Sequence, residues 1–207
     1  MAADSAARRW RFRLGAILVA VALALMPTTR AAPDEPAWQV YFSPTHGATK
    51  AVVDALAAAK ATVLVQAYSF TSAPIAKALV EAHDRGVDVQ VILDRKETGS
   101  KYSPADFMAH AKIVTLIDGA HAIAHNKVMV IDGLTVITGS FNFTTAAEQR
   151  NAENLLVIQD PDLARKYTEN WTLHGQHAEP YAGRGSDPEP PLLKPREKVA
   201  EAPEKKR

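Results

Sequence analysis

Not one of the 207 residues is a cysteine. Disulfide frameworks and thiolate chemistry are therefore out of reach, although this leaves the compartment open. There is no large excess of charge either: 24 basic and 23 acidic residues leave a formal +1. That balance is uneven along the chain. Residues 1–31 carry +4 and residues 184–207 carry +2, whereas residues 32–183 carry −5. A net acidic body is not the profile of a tight, non-specific DNA binder, so any nucleic-acid contact has to rely on a local basic groove. The chain has no His-x-His pair and no tight carboxylate cluster within one local stretch. No metal set is legible on that basis, and one assembled from distant residues stays open. The N-terminal apolar run, Leu14 to Met26, stops at thirteen residues, short of the roughly 20 that span a bilayer comfortably.

What is present divides readily. The basic start Arg8-Arg9-Trp10-Arg11-Phe12-Arg13, the apolar run and the small residues around Thr29 and Ala31 have the layout of a secretory signal over residues 1–31. This predicts a periplasmic or secreted protein with no stable membrane span after cleavage, an uncleaved anchor being the alternative. Residues 32–37 read as a linker and 38–178 as the folded domain, one core's worth of chain at 47% apolar content. From Glu179 to Arg207 the composition is Pro, Gly, Lys and Glu with almost nothing to bury, which predicts a disordered tail.

Within the domain, the patterns predict strands over 38–43, 62–68, 87–93, 112–117 and 154–159 and helices over 45–60, 72–86, 104–111 and 161–174. Residues 94–103 read as a polar, mobile loop. Strands alternating with helices predict an α/β fold, a sheet covered on both faces.

The chemistry concentrates in residues 125–154, HNKVMVIDGLTVITGSFNFTTAAEQRNAEN. Two β-branched runs flank Asp132-Gly133, a turn pair, and predict a hairpin. Side chains two apart on a strand share a face, so His125 sits beside Lys127, and Ser140 beside Asn142 if the extended backbone continues. A nucleophile or base, a fixed cation and two neutral donors suit a phosphate. Asp132 lies an odd number of residues from Lys127, which points it to the other face and favours a turn role over proton transfer. Tyr68 or Phe70, at the end of a strand, can line a groove or pack in the core. Arg95, Lys96 and Lys101 can touch a nucleic-acid backbone or simply be solvated.

His125-x-Lys127, four residues, Asp132, six residues, Gly139-Ser140-x-Asn142 resembles the signature of the phospholipase D superfamily. GSFNFTTAAEQRNAEN, residues 139–154, is similar in particular to its small bacterial nuclease branch. The resemblance implies a mixed β-sheet sandwiched between helices. It also implies catalysis with no metal or other cofactor: one His125 attacks phosphorus to give a phosphohistidine, and a second His125 protonates the leaving oxygen and then activates water. Lys127, Ser140 and Asn142 hold the phosphoryl oxygens. Glu153 matches the position whose carboxylate holds the histidine by its other ring nitrogen. The motif occurs once here, where many relatives carry it twice, so the resemblance implies a homodimer with a shared site. The implied substrate is DNA, and RNA as a second nucleic acid. A phospholipid or cardiolipin-type lipid is the alternative, and a non-catalytic nucleic-acid-binding relative a third reading.

Overall fold

The structure is a computed structural model that describes residues 37–99 and 103–185. These residues all belong to one compact unit. The expected signal, nearly all of the linker and most of the expected tail lie outside the described residues.

Eight strands form one sheet: β1 (Trp38–Ser43), β2 (Thr62–Ala67), β3 (Asp88–Asp94), β4 (Val114–Asp118), β5 (Lys127–Ile131), β6 (Thr135–Gly139), β7 (Glu153–Gln159) and β8 (Glu179–Pro180). Their order is β1-β7-β6-β5-β2-β3-β4-β8. Between them lie α1 (Ala48–Ala58), α2 (Ala73–Asp84), a 3-10 turn (Arg95–Thr98), α3 (Pro104–His110), α4 (Thr145–Gln149) and α5 (Pro161–His177). Strands β2, β3 and β4 run parallel, and every other neighbouring pair is antiparallel.

The two-residue period of the strands makes the layers. In β5 every residue is buried. Met129 and Ile131 enter the main core with Val52 and Leu56 of α1, Ile75 and Leu79 of α2 and Met108 of α3. Val128 and Val130 point the other way, onto Ala164 of α5. On that second face Trp171 packs on Ile92 and Leu116, and its indole N–H donates to the Val65 carbonyl at 2.9 Å, so its one polar atom is satisfied. Asp160 starts α5 by accepting from the amides of Asp162 and Leu163, with Pro161 where no amide is needed.

Three segments depart from the sequence-based expectation. Residues 95–98, read as part of a mobile loop, are a folded 3-10 turn. Asp94 caps it through the Lys96 amide, Glu97 is buried, and the Ser103 hydroxyl donates to the Glu97 carbonyl. The polar stretch after Asn142 forms the short α4, capped by Thr144 through the Ala147 amide. Residues 179–184, assigned by composition to the tail, are held in place instead. β8 pairs with β4, the Tyr181 amide donates to the Thr115 carbonyl, and the Tyr181 hydroxyl and Arg184 guanidinium both donate to Asp106. Backbone pairing, one carboxylate and a single ring, Tyr181, packed against the main core do this, which is why composition is nearly silent about it. No helix among the described residues is long and apolar enough to cross a membrane.

Candidate active site

The sheet topology gathers the motif at one edge. Lys127, the first residue of β5, pairs with Ala67, the last of β2. Gly139 closes β6 opposite Leu155, near the start of β7. The carboxyl ends of β2 and β3, the starts of β5 and β7 and the end of β6 therefore share one rim, where open sheets of this kind form ligand crevices.

Tyr68 is the platform of the rim. Its amide donates to the Asn126 carbonyl at 2.9 Å, next to His125. The rings of Tyr68 and His125 lie 4.5 Å apart, tilted by 55°. The Lys96 ammonium sits 3.0 Å from the Tyr68 ring centroid and that of Lys127 5.0 Å, within cation–π range. Phe70, two residues on, belongs to the core and pairs with Phe143. Both Thr71 and Ser72 donate their amides to the Phe143 carbonyl. The segment that carries Asn142 is thereby fixed beside the one that carries Tyr68.

His125 precedes the strand and is exposed, whereas Lys127 begins it and is buried. The Lys127 ammonium donates to the His125 carbonyl at 2.7 Å, so the cation also braces the backbone that bears the imidazole. Burial pushes the Lys127 pKa below the usual lysine range, opposed by the charge of Glu153 and assisted by that of Lys96. An anion bound here would add to the counter-charge that Glu153 provides to the buried ammonium.

Ser140 and Glu153 are engaged with each other. The Ser140 hydroxyl donates to Glu153 Oε2 at 2.6 Å and accepts from the Asn154 amide at 3.1 Å. Asn151 donates to the other Glu153 oxygen at 3.0 Å. Within one chain each Glu153 oxygen holds one of these two partners, which leaves acceptor capacity on both, and the His125 ring packs on Tyr68. Asn142 has a buried side-chain carbonyl oxygen with no hydrogen-bond partner. Buried polar atoms of that kind are uncommon and call for a missing partner such as a ligand or water.

Asp132 is apart from this rim. It occupies the far end of β5 with a positive φ of 54°, and its carboxylate accepts from the amides of Lys60, Ala61 and Thr62 at 2.8 to 3.0 Å. Burial opposes its ionisation, but those three amides and the Lys60 charge outweigh it and hold the carboxyl below the usual range. Its place is thus structural, the length of β5 carrying it to the opposite end of the strand from Lys127. Asp132→Ala is expected to cost about 1 to 2 kcal/mol of stability, the lower part of the range for lost amide partners because the site is exposed, with kcat unchanged. Because the folded pKa is depressed, the contribution is complete above the unfolded value of about 3.9 and lost as pH falls through the folded one. Chemical denaturation at neutral and acid pH should show the gap between the two proteins closing in acid.

No metal ligand is legible from local spacing, yet the fold gathers Asp118, His121, His174 and His177 with their donor atoms all within 4.8 Å of one another. Two i,i+3 pairs, Asp118-x-x-His121 and His174-x-x-His177, are the sequence signal; 52 residues separate them, and only the packing of α5 on the sheet unites them. Burial opposes ionisation of Asp118, but hydrogen bonds from His174, His121 and His177 prevail and keep its carboxyl far below the usual range. Lys101 lies outside the described residues, and Arg95 is exposed.

Comparison with known proteins agrees with this geometry. A family model described as "Cardiolipin synthase, PLD-like domain" matches residues 52–172. Phospholipase D of Rickettsia bellii is 45% identical over 130 residues, 63% of this chain and 65% of that protein. A mitochondrial cardiolipin hydrolase of Chlamydomonas reinhardtii is 30% identical over 130 residues, 63% of this chain and 58% of that protein. The match thus spans less than two thirds of the length of each of these curated relatives, 65% and 58%. The crystal structure of Nuc, a phospholipase D family member from Salmonella typhimurium, superposes with a TM-score of 0.68 at 40% identity, covering 71% of this chain and 99% of that one. Motif, mixed sheet and matched segment coincide: the chain belongs to the phospholipase D superfamily, within its PLD-like domain family.

Proposed function

We propose that this protein is a phosphodiesterase that needs no metal ion for its chemical step, and that it acts as an endonuclease of low sequence specificity on DNA and RNA. The observation that carries the reading is the rim itself, where an exposed imidazole, a buried ammonium, a second ammonium and an aromatic face converge around Tyr68. One backbone phosphate fits the two cations and the imidazole, and a base or sugar can rest against the ring.

In this reading a nitrogen of His125 attacks phosphorus and the P–O bond to the leaving group breaks. The leaving oxygen takes a proton from the His125 of a second copy, which then removes a proton from water as that water displaces the imidazole from phosphorus. One chain supplies one such histidine, and a single imidazole cannot be nucleophile and acid in the same step, so the active species is a homodimer. Lys127 steadies the charge that builds on the phosphoryl oxygens, and Asn142 and Ser140 complete their surroundings. Nuc, a phospholipase D family member covered over 99% of its length at 40% identity, supports the phosphodiesterase reading. The net −5 of residues 32–183 fits cutting with turnover better than tight binding.

A lipid phosphodiester is the second reading. A groove of about 780 Å³ between the start of α2 and α3, lined by Phe70, Ala76, Pro104 and Phe107 among others, offers apolar room, and relatives are named phospholipase D and cardiolipin hydrolase. Side-by-side assays decide. Plasmid and single-stranded DNA should be cut in the presence of EDTA, with no release of headgroup from phosphatidylcholine or cardiolipin vesicles. Headgroup release without DNA cutting would overturn the nuclease reading.

Lys96→Gln tests the electrostatics of the rim. It removes a positive neighbour that lowers the Lys127 pKa, so the alkaline limb of kcat/KM should move to higher pH. Affinity for DNA should fall several-fold and depend less steeply on salt.

A further inference from the structure

A second cluster lies on the same edge of the sheet, at the end of β4. Asp118 is the last residue of that strand and is fully buried. Its Oδ1 accepts the Ala120 amide at 3.1 Å. Toward its Oδ2 point His121 Nδ1 at 3.0 Å, His174 Nδ1 at 2.7 Å and His177 Nε2 at 3.4 Å. The three imidazole rings face one another with centroids 4.9 to 5.4 Å apart. Three ring nitrogens crowd one carboxylate oxygen that has two lone pairs, with His121 Nδ1 also 3.1 Å from Oδ1. Three imidazolium ions packed at this distance would repel one another around a single negative charge. One divalent cation bonded to all four side chains removes both difficulties.

The geometry suits such an ion. Zinc with nitrogen and oxygen ligands at about 2.0 to 2.1 Å places tetrahedral neighbours about 3.3 Å apart, and the three distances to Oδ2 straddle that value. Three imidazoles and one carboxylate favour zinc and its transition-metal neighbours over magnesium or calcium. The Ala120 amide on Oδ1 orients the carboxylate from behind, as outer-shell partners of metal ligands do. Four protein ligands leave no open position, which marks a structural site rather than a catalytic one.

We propose that Asp118, His121, His174 and His177 form a closed tetrahedral site for a zinc-class divalent ion that fastens the last turn of α5 to the loop leading into His125. The position gives the site a purpose. Asp118 pairs with Asp94 across β3 and β4. The loop after Asp118 crosses that edge, is pinned by the Ala124 amide on Asp94 Oδ2 at 2.8 Å, and delivers His125 one residue later. An ion at its start would fix the loop from its other end. Three strand spacings, roughly 14 Å, separate β4 from β5, so the ion braces the rim and stays out of the phosphoryl chemistry.

The test reads metal binding directly and stands apart from any nuclease assay. Untagged full-length protein, stripped by dialysis against chelator, is titrated with Co²⁺ and then with Zn²⁺. The expected result is one Co²⁺ per chain with the intense visible absorption of tetrahedral cobalt, displaced by one equivalent of Zn²⁺, and a higher Tm with either ion. His121→Ala and His177→Gln should bind Co²⁺ about a hundredfold more weakly, while His83→Ala, on α2, should bind like the parent. Both ligand positions are partly exposed, so these variants retain the fold; circular dichroism confirms it. Absence of stoichiometric Co²⁺ binding, a weak octahedral spectrum, or equal binding by the His121 and His177 variants would each overturn the proposal.

Discussion

His125→Ala is expected to lower kcat by about 10⁴-fold or more, the scale seen when a covalent nucleophile is removed from a site whose other groups remain. The fold should not notice. The side chain is exposed, and its ring contact is with Tyr68; changes at such positions usually stay within about 0.5 kcal/mol. The Lys127 bond runs to the His125 backbone carbonyl, which alanine keeps. A large loss of turnover with an unchanged melting curve is therefore the expected pair of results, read by plasmid nicking and by thermal denaturation. Appreciable residual cutting by the variant would remove His125 from the nucleophile role.

Gly139→Ala should fail for the opposite reason, through the backbone. Gly139 ends β6 with φ of 145°, a conformation that other residues rarely adopt. A Cβ there would lie 2.3 Å from the Asn154 carbonyl oxygen and 2.8 Å from the Asn154 side-chain oxygen. Those are atoms of the neighbouring strand, and β7 cannot withdraw without breaking its pairing with β6 and β1. Strain and lost pairing together should cost about 3 kcal/mol or more. Whatever folds should also be impaired in turnover, because Ser140, Asn154 and Glu153 are bonded around this point. Urea denaturation gives the stability, and activity per folded molecule gives the site effect. A Gly139→Ala protein as stable and active as the parent would contradict this view of the close approach.

The hairpin is the part of the fold that its residues announce most clearly. Two β-branched runs, Val128 to Ile131 and Thr135 to Thr138, with Asp132-Gly133 between them announce it, and Asp132 sits at the turn with the positive φ that such a position demands. The burial of Lys127 and its grip on the His125 carbonyl are not legible, because they depend on β2 lying beside β5. Tyr68 is half-legible: its place at a strand end suggests a groove, but its role as the platform for His125, Lys96 and Lys127 follows from the order β5-β2-β3. Glu153 is legible only by resemblance, and within one chain its carboxylate meets Ser140 and Asn151. The four-residue cluster at Asp118 was hidden for a physical reason as well. Its two halves lie on β4 with its following loop and on α5, and it takes the packing of Ala164 and Trp171 on the sheet to set the register between them.

The most direct test of the phosphohistidine account is to trap it. A single-stranded oligonucleotide of defined length is mixed with the protein in the presence of EDTA and quenched in denaturant at alkaline pH, where phosphohistidine survives. Intact mass and peptide mapping then follow. The account predicts an adduct with the mass of one oligonucleotide fragment, carried by the peptide that contains His125 and absent from His125→Ala. Rapid cutting under the same conditions with no adduct on His125, or with an adduct on another residue, would contradict it.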